Sequence, residues 1–522
     1  MDTRTLIAIA LAFAILFLYQ YFFIKPEPQQ VQKQAKVEKK EEPKPVKPVE
    51  VTINKGIPSE EKELRVETEL YSAVFTTKGG TLKYYELKPY KDKEGKNIVL
   101  LKKSGIHPPL SIGSKDDFDL ANANFNVIGK DIKLNRDKKS DSFIFEYTDS
   151  GFSVRRTYTF HNDDYRVDIK DEVSGLPDYW ITLGTDFGIH NDKDKSSHIG
   201  PVLLKESERV EFNAKKLNET RSYKEGLKWI AQEDKYFFAS LVPLNNMEEA
   251  KAWREKDSLV IALRGKPTTN SLILYAGPKE HDRLSKLNVG LEHIIDFGFF
   301  SIIARPLFWL LKFFYKFIGN YGWAIVLLTI ITRIPFIPLV NKSQKAMKKM
   351  QEIQPRLAEI KEKYKKDPQR MQREMMELYK KHKVNPMGGC LPILLQIPVF
   401  FALYKILLIA IELRDAPFML WIKDLSAPDS LFGHIPSWFP LIGDFAVGPL
   451  PIIMGITMII QQKMTPTSMD PTQAKIMMLM PIIFTFLFLN FASGLVLYWL
   501  INNILSIAQQ FYVNRKLAKQ TA

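Results

Sequence analysis

The chain has a single cysteine, Cys390, among its 522 residues. A disulfide framework is therefore excluded, even for a part of the chain in an oxidising compartment. Met387-Gly-Gly-Cys390 has the look of a lipid-attachment box but stands far from any N-terminal signal, so Cys390 reads as a small apolar residue at a helix start. No Gly-x-x-x-x-Gly-Lys-Ser/Thr loop occurs, which argues against an ATP-driven pump. His-Glu-x-x-His and Gly-x-Ser-x-Gly are missing too, and the eight histidines are scattered. No catalytic residue, metal site, cofactor or small-molecule substrate is therefore expected. The apolar stretches of the second half also lack the paired Asp or Glu of a proton-coupled carrier.

What is present is apolar length. Leu6 to Ile24 carries no charge, and at 1.5 Å per residue such a run spans roughly 28 Å, close to a bilayer core. Bulky Tyr19, Tyr21, Phe22 and Phe23 stand where a signal peptide needs small cleavage-site residues, so residues 1–24 read as an uncleaved anchor. Residues 25–50 hold seven Lys, five Glu and five Pro, the composition of a solvated, disordered linker.

From 51 to 290 the pattern alternates with period two. Leu64, Val66, Thr68 and Leu70 form one row; Phe143, Phe145, Tyr147 and then Phe152, Val154, Arg156, Tyr158, Phe160 form two more around the turn Thr148-Asp-Ser-Gly151. This predicts a large antiparallel β-sandwich. Trp229 to Val242 fits a helix or a buried strand equally well. Residues 297–318 mix Arg305, Lys312 and Lys316 with Phe, Leu and Ile, as an amphipathic helix lying in a membrane interface would.

Five further spans are expected, at Trp323 to Val340, Cys390 to Ile411, Phe445 to Gln462, Lys475 to Asn490 and Gly494 to Val513. The predicted fold is a multi-domain membrane protein: a polytopic α-helical bundle of six spans, with a core at 322–513, beside the β-sandwich. Loop charge orients it. Asn341 to Asn385 holds fourteen basic and six acidic residues, net +8, whereas Glu412 to Asp444 holds two and five, net −3. The 514–522 tail adds Arg515, Lys516 and Lys519. The basic segments share the side of the N-terminus, which is therefore the cytoplasm, and the β domain is periplasmic in a diderm bacterium.

The basic loop at 341–385 has structure of its own. Asp367-Pro368 is a helix start, Asp as N-cap and Pro at the first helical position. Met350, Ile353, Leu357, Ile360 and Tyr364 precede it at spacings of three or four, and Met371, Met375 and Leu378 follow it. Two helices joined at Lys365-Lys366-Asp367 make a hairpin with an apolar seam and basic outer faces. Charge alone fits either contact with anionic lipid or docking of a negatively charged partner.

Arg333 lies inside the Trp323 to Val340 run with no acidic residue in that run to pair with it. A charge at membrane depth costs at least a few kcal/mol and needs water, acceptors or a transient anion around it. It sits seven residues from Val340, roughly 10 Å from the helix edge, about the limit of snorkelling. Thr329 is one turn away on the same face, Pro335 and Pro338 bend the helix, and Gln461, Gln462, Tyr498, Trp499, Asn502 and Asn503 lie in other spans. Together these can line a wet groove. An anion-binding transporter or channel is the alternative, disfavoured by missing inverted repeats; a glycan-binding module leaves five spans unexplained.

Several segments resemble the YidC/Oxa/Alb family of membrane protein insertases: Gly319-Asn-Tyr-Gly-Trp-Ala to Thr332-Arg333, Val384-Asn-Pro-Met-Gly-Gly-Cys-Leu-Pro, Ala416-Pro-Phe-Met-Leu-Trp-Ile-Lys-Asp-Leu-Ser, Gln462-Lys-Met-Thr-Pro, Met480-Pro-Ile-Ile-Phe-Thr and Ser493-Gly-Leu-Val-Leu-Tyr-Trp. The resemblance covers residues 297 to 513 in order. It implies a five-helix core around a hydrophilic groove, open to cytoplasm and lipid, in the bacterial inner membrane. Arg333 would be the groove arginine and Thr329 its neighbour. Tyr498 or Trp499 would be the aromatic contact, Gln461 or Gln462 the groove glutamine, and Asp367 the acidic position at the hairpin tip. Gln344 departs from some relatives, and Lys405 is atypical and is given no role. The implied partners are nascent inner-membrane proteins, the ribosome, the Sec translocon with its accessory subunits, and anionic lipid.

Overall fold

A computed structural model of the chain describes residues 60–101, 105–149, 151–191, 197–213, 217, 219–382, 391–438, 444–464 and 471–521, with side chains left aside at 391–395, 471–477 and 516–521. The expected anchor at 1–24, the linker at 25–50 and Cys390 lie outside the described residues. The chain divides into two compact units, one ending at Asp296 and the other resuming at Phe297.

The first unit is sheet because its apolar residues alternate. Phe152–His161 buries every second side chain and pairs with Ser140–Asp149 down to Asp149 opposite Phe152, as the sequence rows predict. Phe143, Tyr158 and Phe160 meet Phe75 of a second sheet at ring separations of 4.9 to 5.5 Å, so the core lies between sheet faces. Trp229 to Val242 resolves into two strands, Leu227–Glu233 and Phe237–Pro243, turning at Asp234.

Three details depart from expectation. The domain is three sheets rather than one sandwich pair: nine strands in one, from Glu208–Glu211 at one edge to Asn126–Ile128 at the other, and five in each of the others. Nor is it wholly antiparallel, since Glu63–Glu67 pairs in parallel with Ile132–Lys133. The row through Leu70 stops early. Thr68 Oγ1 accepts from the backbone N–H groups of Leu70 and Tyr71, so the strand ends at Glu67 and Leu70 belongs to a turn.

A charge crosses this core. Arg156 is fully buried and grips Asp171 with Nε and Nη2 at 2.9 and 3.1 Å, while Nη1 donates to Leu110 O and Gly80 O. Burial works against its charge, but Asp171 outweighs burial and holds Arg156 protonated.

The second unit is helical. We name its helices α1 (Ser301–Ile318), α2 (Tyr321–Arg333), α3 (Ile337–Glu352), α4 (Gln354–Lys363), α5 (Pro368–Lys381), α6 (Leu391–Ile409), α7 (Pro449–Met464), α8 (Pro471–Phe488) and α9 (Ser493–Thr521). Gly319, with φ of +71°, ends α1, and the Asn320 side chain accepts from Trp323 N at 3.1 Å to start α2. At Gly322 a Cβ would lie 1.9 Å from the Phe418 ring, so only glycine lets the loop after α6 pack there.

Among the described residues, Gly298–Ile318 and Tyr321–Glu352 are long and apolar enough to cross a membrane. The exposed faces are apolar where a soluble protein would be polar. Trp323, Leu327, Ile330, Ile331 and Ile334 form one such row, and Ile452, Ile453, Ile456, Ile459 and Ile460 another. The predicted span at Trp323 to Val340 is followed by helix to Glu352, with a 3-10 turn over Ile334–Phe336 between α2 and α3, so the apolar helix and the basic segment after it are contiguous.

Candidate functional site

Arg333 ends α2, where Pro335 and Pro338 replace regular helix by a 3-10 turn over Ile334–Phe336. The side chain is partly buried and reaches across to α9. Nη1 donates to Asn502 Oδ1 and to Asn502 O at 3.2 Å, and Nη2 donates to Ser506 Oγ at 2.8 Å and Gln509 Oε1 at 3.2 Å. Every one of these acceptors is neutral. The spacing 502, 506, 509 places all three residues on one face of α9.

A cavity of about 160 Å³ opens against this cluster. Its wall is part polar (Thr329, Arg333, Gln344, Gln396, Gln461, Tyr498) and part apolar (Phe336, Val340, Met347, Val399). Thr329 spends its hydroxyl proton on Ile325 O at 2.7 Å, leaving its oxygen free to accept. Gln396 Nε2 lies 3.4 Å from the Tyr498 hydroxyl oxygen. Ser343 Oγ and Gln344 Oε1, on residues of the wall, are buried without a hydrogen-bond partner among the described residues.

The structure thus brings Arg333, Thr329, Gln461, Tyr498 and Asn502 together and leaves two of the predicted residues outside. Trp499 does not line the cavity; its ring packs against Phe400, Phe484 and Phe488 at 5.0 to 6.1 Å. Of the two glutamines on α7, only Gln461 is on the wall. The sequence reading missed Gln396, Ser506 and Gln509. Gln396 had a signal, an amide alone in the apolar run of α6, and Ser506 and Gln509 stand one and two turns beyond Asn502. Among the described residues, the hydrogen-bond acceptors of Arg333 lie on α9.

The hairpin forms as α4 and α5. Asp367 Oδ1 accepts from Arg370 N at 3.0 Å and Pro368 opens α5. Met350, Ile353 and Leu357 pack on Met375, Leu378 and Tyr379, while Met371, half-buried, is not part of that cluster. Lys365 and Lys366 are exposed at the tip.

No group of three or more His, Cys, Asp or Glu that could hold a metal occurs among the described residues. The cavity offers one cation, amides, hydroxyls and apolar surface. Such a wall can receive and release a partly charged chain.

Residues 313–520 match the family model described as 60Kd inner membrane protein, and residues 63–310 match the one described as YidC periplasmic domain. The membrane protein insertase YidC of Geobacter sp. (strain M21) is 38% identical over 475 residues, 87% of this chain and 86% of that protein. That of Geotalea uraniireducens (strain Rf4) is 39% identical over 482 residues, 87% of each chain. A crystal structure of an active YidC insertase with its first transmembrane domain resolved aligns over 98% of this chain and 100% of that one, at 20% identity and a TM-score of 0.41.

Proposed function

The chain belongs to the YidC/Oxa1 family of membrane protein insertases, and on that premise we propose how it handles a client. It is a non-enzymatic insertase of the inner membrane with a periplasmic β-rich domain. In our reading it has six spans, the anchor at 1–24 and five core helices, with both termini cytoplasmic. The net +8 of the 341–385 loop supports that orientation.

The client, a nascent inner-membrane protein, first meets the basic hairpin, alone, on a ribosome or beside the Sec translocon; anionic lipid shares that surface. Its polar external segment enters the cavity wall at Arg333, Thr329, Gln461, Tyr498 and Asn502. Its apolar segment passes along the exposed isoleucine rows into lipid. Apolar burial drives the step, and the groove shortens the path on which polar groups lack partners.

The observation that carries this reading is the state of Arg333: a cation at the wall of a part-polar cavity, satisfied among the described residues by neutral acceptors. Neutral acceptors pay for desolvation without cancelling the charge. An acidic client segment therefore still finds a positive site. Reconstitution of the full chain into liposomes with a small two-span client tests the function. We expect protease-protected client well above the level in protein-free liposomes; equal levels would sink it.

A further inference from the structure

Gln509 is placed with unusual constraint for a neutral side chain. Its Nε2 donates to Asn341 Oδ1 at 2.8 Å and to Ile337 O at 3.2 Å, both on α3 beyond the 3-10 turn. Its Oε1 is thereby turned to the Arg333 guanidinium, 3.2 Å from Nη2. Reversing the amide would set an NH₂ against the cation and a carbonyl oxygen against two acceptors, so one orientation is strongly favoured.

The consequence is electrostatic. Asn502 holds Nη1 through two acceptors, while among the described residues Nη2 rests on Ser506 and Gln509. Those two bonds can be exchanged for a carboxylate without uncoupling Arg333 from α9. A fixed acid in place of either would satisfy the same donors but neutralise the site. It would then compete with every incoming anion.

We propose that Gln509, seconded by Ser506, is a specificity-determining positioning residue: its oriented neutral amide holds the Nη2 edge of Arg333 for exchange with a carboxylate in the client's polar segment. The inference rests on Arg333 being the receiving site. It adds that the neutrality of the α9 acceptors keeps that site available to acidic clients.

The test uses the full chain in liposomes and one two-span client carrying either an acidic or a neutral external tail. Gln509→Glu is expected to lower the ratio of acidic-tail to neutral-tail insertion about tenfold relative to the parent. Insertion of both tails at the parent level, or a parallel fall of both, overturns the proposal; a parallel fall is what loss of a structural bond alone would give. Arg333→Ala is run beside it. A parent-like ratio of acidic to neutral insertion in Arg333→Ala removes the receiving site itself and the proposal with it. An altered ratio there and an unaltered one in Gln509→Glu removes this proposal only. Should Gln509→Glu not fold, Ser506→Asp puts the charge on the neighbouring acceptor and is judged by the same outcomes.

Discussion

Two arginines show how differently this chain treats a buried cation. Arg156 is closed off with a carboxylate, two backbone carbonyls and the Tyr158 ring. Asp171→Asn would leave it buried and uncompensated. We expect a loss of about 3–5 kcal/mol in the unfolding transition of the β-rich domain, followed by tryptophan fluorescence in the full chain. Among the described residues Arg333 has neutral partners, so its charge is still on offer. A third site responds to pH. The hydrogen bond to Asp168 raises His161 above its ordinary 6.5. Burial acts to raise Asp168, but bonds from His161 and Arg166 outweigh it and hold the acid below its ordinary 3.8. A raised histidine stabilises the fold below its unfolded pKa and loses that contribution as pH rises through the folded value. The depressed aspartate stabilises above its unfolded pKa and loses its share only in stronger acid. The thermal midpoint lost in His161→Gln should therefore be larger at about pH 5.5 than at about pH 8.5. Equal losses at the two pH values would contradict the pairing.

At the scale of elements, local signals were legible and distant ones were not. Asp367-Pro368 announces the start of α5 within four residues, and the structure has that cap. The strand rows of Ser140–Asp149 and Phe152–His161 were likewise written in their alternation. The parallel pairing of Val66 with Ile132 depends on contacts far apart in sequence, and no local pattern records it. Leu70 kept the alternation but lost the strand, because the Thr68 side chain offered the backbone a turn instead. The hairpin cap is testable. Asp367→Ala should cost about 1 kcal/mol of local stability, read as faster amide exchange in the first turn of α5, with the Leu357 seam less affected. Uniform acceleration through α4 and α5 would mean the cap holds the whole hairpin.

Across the whole molecule, charge and apolar surface divide the labour. The net +15 is concentrated in the loop at 341–385 and the tail, and the helical unit exposes rows of isoleucine and leucine. Those features were legible because membrane solvent imposes them on composition. The groove was only partly legible. Arg333, Thr329, Tyr498 and Asn502 stood out as polar groups in apolar runs. Trp499 stood out too, yet the facing rings of Phe400, Phe484 and Phe488 claim it. Which of two adjacent residues faces a cavity is decided by helix rotation against neighbours, and single-sequence spacing does not fix it. We propose Arg333 as the receiver of acidic client segments. Its most direct test compares the parent, Arg333→Ala and Arg333→Lys in liposomes with matched acidic and neutral client tails. We expect the alanine variant to lose insertion of acidic tails selectively, and lysine, which keeps the charge without the fork, to fall between. Acidic and neutral tails inserted in the same proportion by all three proteins would contradict it.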